Sequence, residues 1–185
     1  RVSFGQLSEM STALGAWLQS MGLQPGDRVA LMMPNVPQYL VALSAVLRAG
    51  LAVVNVNPLY TPRELEHQLK DSGAVAIIVL ENFAVTLEEV IEHTQVKHVL
   101  LASMGEMLGF WYGRWINFAV RHLAKMVPAF SLPLDNGHTV TRFVQALEAG
   151  RRLPFKRPDI SPDDVAFLQY TGGTTGVSKG ATLLH

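Results

Sequence analysis

The sequence predicts an α/β fold with a mostly parallel sheet flanked by helices, and three observations predict it. Strand-length apolar stretches alternate four times with helix-length amphipathic ones before residue 103, the pattern of parallel strands joined by right-handed crossovers. Ala74–Leu80 is a nearly unbroken apolar run, as a strand covered on both faces requires. Near the carboxyl end, the glycine- and threonine-rich stretch Tyr170–Gly180 lies between two segments, Val165–Tyr170 and Ala181–His185, that each read as a strand.

The first helix is expected from about Leu7 to Met21, with Leu7, Met10, Leu14, Trp17, Leu18 and Met21 on one face and Gly22 to stop it. Gln24-Pro25-Gly26-Asp27 is a turn into a strand from Arg28 to Met33. Pro37 suits the first position of a second helix, whose apolar stripe is Leu40, Leu43 and Leu47 and which Gly50 ends. Ala52–Val56 is the next strand. Thr61-Pro62-Arg63-Glu64 makes a capping box with proline at the first helical position, Leu65 and Leu69 face inward, and Gly73 ends that helix. The strand Ala74–Leu80, a helix near Ala84–His93 and a strand near Lys97–Ala102 complete the series. Ligands on such sheets gather at the carboxyl ends of strands. Asn55, Asn57, Pro58 and Tyr60 fall there, either shaping a substrate side or simply forming the polar turn ahead of Thr61.

Met104–Val127 reads as one helix with a broad apolar face of Leu108, Trp111, Tyr112, Trp115, Ile116, Phe118, Ala119, Leu123 and Met126. Arg114, Asn117, Arg121 and Lys125 lie opposite, and Pro128 stops it. An in-plane membrane helix that collects a lipid has this pattern, and so does half of a homodimer contact. The expected arrangement is burial against protein, because most amphipathic helices serve a core. Pro128–Pro133 begins an irregular linker. A short helix over Thr139–Ala149 turns Val140, Phe143, Val144 and Leu147 inward, and Arg151–Pro162 is an exposed connection back to the sheet.

Composition narrows the function classes. The 185 residues carry no net charge and no basic run, which argues against a dedicated nucleic-acid partner. Without cysteine there is no disulfide frame, thiolate metal site or cysteine nucleophile, and a reducing cytoplasmic location is allowed. The six histidines lack ligand spacing, and no metal ligands are assigned. No signal peptide or membrane-spanning apolar run is evident. A start at Arg1 and an end in apparent mid-strand suggest a piece of a larger protein.

Tyr170–Gly180 reads YTGGTTGVSKG, a composition suited to wrapping phosphate. Gly172, Gly173 and Gly176 let the backbone turn its N–H groups toward an anion. Thr171, Thr174, Thr175 and Ser178 add hydroxyls, and Lys179 adds a mobile cation. The stretch is not the phosphate loop of nucleoside triphosphatases, because Lys179 follows Ser178 and precedes Gly180. Gly176-Val177-Ser178-Lys179-Gly180 does fit the GxSxG elbow of serine hydrolases, with Ser178 as nucleophile, but that elbow needs a helix after the serine and a strand is expected. A plain Gly/Thr-rich turn is the remaining alternative.

The same stretch closely resembles the phosphate-binding signature of the adenylate-forming enzymes, Tyr/Phe-Thr-Ser-Gly-Ser/Thr-Thr-Gly-x-Pro-Lys-Gly. Gly173, Thr174, Thr175, Gly176, Lys179 and Gly180 match it. Gly172 stands for the usual serine, as in the TGGTTG variant of bacterial long-chain fatty acyl-CoA ligases. Ser178 stands for the usual proline, which counts against a nucleophile there. NVNPLYTPRELEHQL at Asn55–Leu69 and GDRVALMMPN at Gly26–Asn35 resemble blocks of the same ligases. The resemblance leaves out only about Ser103–Pro158.

The resemblance implies an incomplete amino-terminal AMP-binding domain, divided into a β/α repeat region (1–102), a helical insert and linker (103–160), and strand, loop and strand (161–185). It also implies ATP-dependent activation of long-chain fatty acids to acyl-CoA through an acyl-adenylate, with ATP, Mg2+ and CoA. The implied nucleotide-binding residues are Tyr170, Thr171, Gly172, Gly173, Thr174, Thr175, Gly176, Val177, Ser178, Lys179, Gly180 and Ala181. No catalytic residue is assigned within the chain. The family's adenine, ribose and magnesium motifs, its hinge and its carboxy-terminal lysine would lie beyond His185, so this chain alone should not turn over. The location implied is cytoplasmic. Peripheral membrane contact through 104–127 is the alternative that the pattern of that helix leaves open beside burial against protein, and a non-catalytic membrane- or partner-binding role is the alternative function.

Overall fold

The computed structural model describes residues 2–132, 137–171 and 178–185. Strands β1 (Arg28–Met32), β2 (Ala52–Asn55), β3 (Ala76–Leu80), β4 (His98–Ala102), β5 (Thr139–Arg142), β6 (Val165–Thr171) and β7 (Lys179–Leu184) form one sheet in the order β5-β4-β3-β1-β2-β6-β7. Every pairing is parallel except β6 with β7, which is antiparallel. The α/β reading therefore holds, with β1–β4 covered on both faces.

The period-two alternation of a strand divides its side chains between two cores. Val29 and Leu31 of β1 pack with helices α1 (Phe4–Ser20), α2 (Pro37–Arg48) and α6 (Phe143–Gly150). Ala30 and Met32 face the other way, toward α3 (Pro62–Ser72) and the short α4 (Ala84–Glu88). All five residues of β3 are buried, as the unbroken run Ala74–Leu80 requires. Helix α3 carries out its expected design in full. Thr61 and Glu64 form the capping box, Pro62 opens the helix, Leu65 and Leu69 are buried, and Gly73 closes it in the left-handed conformation at φ 61°.

Four expectations are corrected. In α2 the buried face is Gln38, Val41, Ala42, Ala45 and Val46, with Leu40 exposed, because small residues let the helix lie close against α1 and β2. The helix expected near Ala84–His93 is broken into α4 and the 3₁₀ turns Glu81–Phe83 and Ile91–His93. Thr139–Arg142 is strand β5 rather than helix, since the β-branched Thr139, Val140 and Thr141 extend the sheet beside β4. Helix α6 follows with Phe143, Ala146 and Leu147 buried and Val144 exposed.

The fourth correction is the largest. Residues 104–107 form a turn, helix α5 covers only Phe110–Phe118, and a π-helical turn runs over Ala119–Leu123. Gly105 and Gly113 meet backbone to backbone, where any Cβ would overlap the other's carbonyl. The polar side of this segment faces the domain. Arg121 donates from Nε and Nη2 to Glu81 at 3.1 and 2.6 Å, Arg142 donates to the same carboxylate at 2.9 Å, and Asn117 Oδ1 accepts from the Gly105 amide at 2.7 Å. Glu81 sits just after β3 and is 2% exposed. A carboxylate so deeply buried must be paired, and that demand turns the arginine inward. The aromatic side therefore looks out, with Trp111 82% and Trp115 62% exposed and Tyr112, Phe118, Leu123 and Met126 exposed beside them. The expected burial of this face does not occur among the described residues.

Candidate functional site

At the carboxyl ends of β1, β2 and β6 a recess of about 290 Å³ opens, lined among others by Asn35, Tyr39, Asn55, Asn57, Tyr60 and Tyr170. The register sets it up: Leu31 pairs with Asn55 and Asn55 with Gln169, so three neighbouring strands finish at one level. A chain of polar side chains joins them. Tyr39 Oη donates to Asn55 Oδ1 at 2.9 Å, and Asn55 Nδ2 donates to Gln169 Oε1 at 2.8 Å. Burial pushes the Tyr39 phenol above its ordinary value, with the Asn55 hydrogen bond opposing, so Tyr39 remains a donor at neutral pH. Asn57, by contrast, is used by its own turn, since its Oδ1 accepts the Leu59 amide at 3.0 Å. The turn reading of this stretch holds for Asn57 and Pro58, whereas Asn55 joins the polar chain of the recess.

The glycine-rich stretch enters and leaves beside this recess. Tyr170 and Thr171 end β6; Lys179, Gly180 and Ala181 begin β7. Thr171 pairs with Lys179, Tyr170 with Gly180 and Gln169 with Ala181, so β6 and β7 are the antiparallel stems of a hairpin. Gly172, Gly173, Thr174, Thr175, Gly176 and Val177 lie outside the described residues. Thr171 and Lys179 are exposed. Ser178 Oγ donates to the Thr171 carbonyl at 3.0 Å, bridging the stems. The strand after Ser178 is not the helix that a nucleophile elbow needs, and the His67 ring meets the carbonyl of Ser178 rather than its hydroxyl.

Helix α3 stands over the stems. Its Gln68 Nε2 donates to the Asn55 carbonyl at 2.7 Å, His67 Nε2 lies 3.3 Å from the Ser178 carbonyl oxygen, and Asp71 Oδ2 accepts from Tyr170 Oη at 2.6 Å. Burial first, and Asp71 second, hold the Tyr170 phenol far above its ordinary value. Sequence reasoning missed Tyr39, His67, Gln68, Asp71 and Gln169. The available signal was that His67 and Asp71 lie one turn apart, at i and i+4, on the polar side of the helix that the second motif block opens.

A larger recess of about 420 Å³ lies at the opposite, amino ends of the strands, lined by Arg28, Asp159, Asp163 and Asp164 among others. Its Arg28 guanidinium is used on the Ser72 and Gly73 carbonyls at the end of α3, at 3.0 and 3.2 Å. Among the described residues no group of three or more His, Asp or Glu could hold a metal ion.

Comparison with known proteins finds relatives over the whole of this chain. The AMP-binding enzyme family matches residues 1–185. A long-chain-fatty-acid–CoA ligase of Yersinia pestis is 56% identical over the whole of this chain and 32% of its own length. One of Haemophilus influenzae is 57% identical, again over the whole chain and 32% of its own length. The crystal structure of a long-chain-fatty-acid–CoA ligase from Archaeoglobus fulgidus superposes with a TM-score of 0.72 at 25% identity, over 99% of this chain and 30% of that one. The chain thus spans about a third of the length of the relatives it matches.

Proposed function

The chain belongs to the AMP-binding enzyme family, and from that premise we propose that it supplies the ATP phosphate-binding loop of a long-chain fatty acid–CoA ligase. In the first half-reaction a fatty carboxylate oxygen attacks the α-phosphorus of ATP, and pyrophosphate leaves with the electrons of the broken P–O bond. In the second, the CoA thiol attacks the acyl carbonyl, giving the thioester, AMP and a proton. The first step requires a polyanion held in line and charge on the leaving pyrophosphate stabilised. On this reading the amides of Gly172–Gly176 cradle the β- and γ-phosphates, the hydroxyls of Thr171, Thr174 and Thr175 donate to their oxygens, and Lys179 neutralises charge or anchors the loop. Magnesium would enter with the nucleotide phosphates.

The observation that carries the reading is the pairing of Thr171 with Lys179 beside the recess. Thr171 and Lys179, which flank segment 172–178 in the sequence, thereby stand together at the carboxyl end of β6, and such folds bind their ligands at the carboxyl ends of strands. The test is exchange of labelled pyrophosphate into ATP by the complete protein, with fatty acids of short, medium and long chain. Exchange that appears only with fatty acid supports the ligase, and the chain-length profile names its substrate. Absence of exchange in a folded protein that binds ATP removes the reading. Ser178→Ala should be tolerated, whereas a hydrolase would lose its activity. The 185-residue chain alone should make no acyl-CoA.

The outward aromatic face of α5 favours a second element, a peripheral membrane contact that collects the fatty acid. Trp111, Tyr112, Trp115 and Phe118 are exposed together, as on a helix lying in a bilayer interface. No helix among the described residues is long and apolar enough to cross a membrane. Co-sedimentation with liposomes should fall in Trp111→Ala/Trp115→Ala. Concentration-dependent dimerisation without liposome binding would assign the face to a homodimer instead.

A further inference from the structure

We infer that helix α3 is the positioning element of the phosphate hairpin: Asp71 and His67, one turn apart on one side of it, hold the two stems at Tyr170 and Ser178. The inference deepens the ligase reading and rests on it for its functional meaning, while the clamp itself stands on contacts among described residues. Asp71 accepts from the Tyr170 hydroxyl at 2.6 Å on the β6 stem, and His67 Nε2 is 3.3 Å from the Ser178 carbonyl at the β7 stem, donating in the tautomer with its proton on Nε2. Between them Gln68, itself buried, fastens the helix to the end of β2 through the Asn55 carbonyl. One helix face thus reaches three strands.

The helix is built to be stiff. Its first turn is closed by the Thr61 and Glu64 capping box, its far side is locked by Leu65 and Leu69, and Gly73 ends it cleanly. Contacts from such an element fix the stems better than contacts from a loop.

The clamp also assigns work to two residues of the motif itself. Tyr170 is 8% exposed and its hydroxyl is used on Asp71, so its part is to hold the stem rather than to touch phosphate. Its ring lies against Gly180 across the ladder, where a Cβ would sit 3.0 Å from the ring carbons Cε2 and Cζ. Glycine at 180 leaves room for the tyrosine that Asp71 anchors. The tyrosine at one end of the motif and the glycine at the other are therefore two halves of one joint. Asp71 is a positioning residue and no more.

Two measurements on the complete protein test this. In fatty-acid-dependent pyrophosphate exchange, Asp71→Ala and Tyr170→Phe should each raise the KM for ATP about tenfold, the loss expected of a hydrogen bond to a charged group. The KM for fatty acid should stay unchanged, the double variant should be no worse than either single one, and Asp71→Asn, which keeps an acceptor, should recover most of the loss. Amide hydrogen exchange over Lys179–Thr182 should quicken in Asp71→Ala and His67→Ala but not in Lys70→Ala. An unchanged KM for ATP, equal rises for both substrates, or fully multiplicative effects in the double variant overturn the clamp. If the wild type shows no pyrophosphate exchange, the ligase reading fails, and the ladder's hydrogen exchange alone then decides the clamp. Asp71 is exposed and Tyr170→Phe keeps the ring, so both variants fold.

Discussion

Helices α3 and α5 have the same kind of sequence pattern and opposite orientations. Both carry an apolar side and a polar side, and the rule that the apolar side faces the core describes α3 and fails for α5. In α3 Leu65 and Leu69 are buried and the polar His67 and Asp71 reach the hairpin. In α5 and the π-helical turn after it, Asn117 and Arg121 face the domain, and Trp111 and Trp115 face out. The difference lies in what each helix meets. Under α3 the sheet presents Ala30, Val54 and Ile77, whereas beside α5 it ends in the buried carboxylate of Glu81, which requires cations. An amphipathic pattern defines two sides, and the surface underneath decides which one is inner.

The most damaging way to break the comparison is to strip Glu81 of both its partners. Arg121→Ala/Arg142→Ala leaves a buried carboxylate uncompensated, which should cost about 3–5 kcal/mol in urea unfolding. Arg121→Ala alone should cost much less, since Arg142 still donates at 2.9 Å. Equal, small losses in all variants would mean that the Glu81 cluster does not orient α5.

The apolar sides come next. Leu65→Ala opens a cavity beneath α3 and should cost about 2–5 kcal/mol. Trp111→Ala removes a larger side chain from α5, yet it should change stability by no more than about 0.5 kcal/mol, because the ring is 82% exposed. Comparable losses at the two positions would show that the aromatic face is covered in solution.

A smaller effect probes the stiffness of α3. Thr61→Ala removes the side chain that caps the Glu64 amide and should cost about 1 kcal/mol. No equivalent cap exists on α5, where the residue before the helix is Gly109 and no side chain caps the first turn. That contrast was legible in the sequence: Thr61-Pro62-Arg63-Glu64 specifies a helix start by local chemistry alone, and nothing of the kind precedes Phe110. The parallel core was legible for the same reason, since an apolar run such as Ala74–Leu80 states both its conformation and its burial. Three features were not legible because they depend on contacts distant in sequence. Thr139–Arg142 becomes a strand only because β4 offers an edge. Arg121 turns inward because Glu81, 40 residues away, is buried. Asp71 matters because Tyr170, 99 residues away, meets it. The hairpin motif points to a candidate site by composition, whereas the residues proposed to brace it are marked in the sequence only by their one-turn spacing on α3.

The smallest expected effect concerns Glu106, in the turn that leads into α5. Burial raises its carboxyl above the ordinary value, and nearby Glu81 adds to the rise, while hydrogen bonds from Ser103 and the charge of Arg142 pull the other way. Its Oε1 accepts from Ser103 Oγ at 2.8 Å, and its Oε2 is buried with no hydrogen-bond partner among the described residues. A carboxyl raised in the folded state binds its proton more tightly there than in the unfolded chain. Its contribution to stability is therefore fully present below the ordinary carboxylate range and is lost as pH rises through the raised value. Glu106→Gln keeps the shape without the charge. It should unfold at higher urea than the wild type at neutral pH, and the difference should shrink below about pH 4, where both side chains are neutral. A difference that stays constant with pH would mean that Glu106 ionises freely and that the α5 side of the domain carries no burial penalty beyond Glu81.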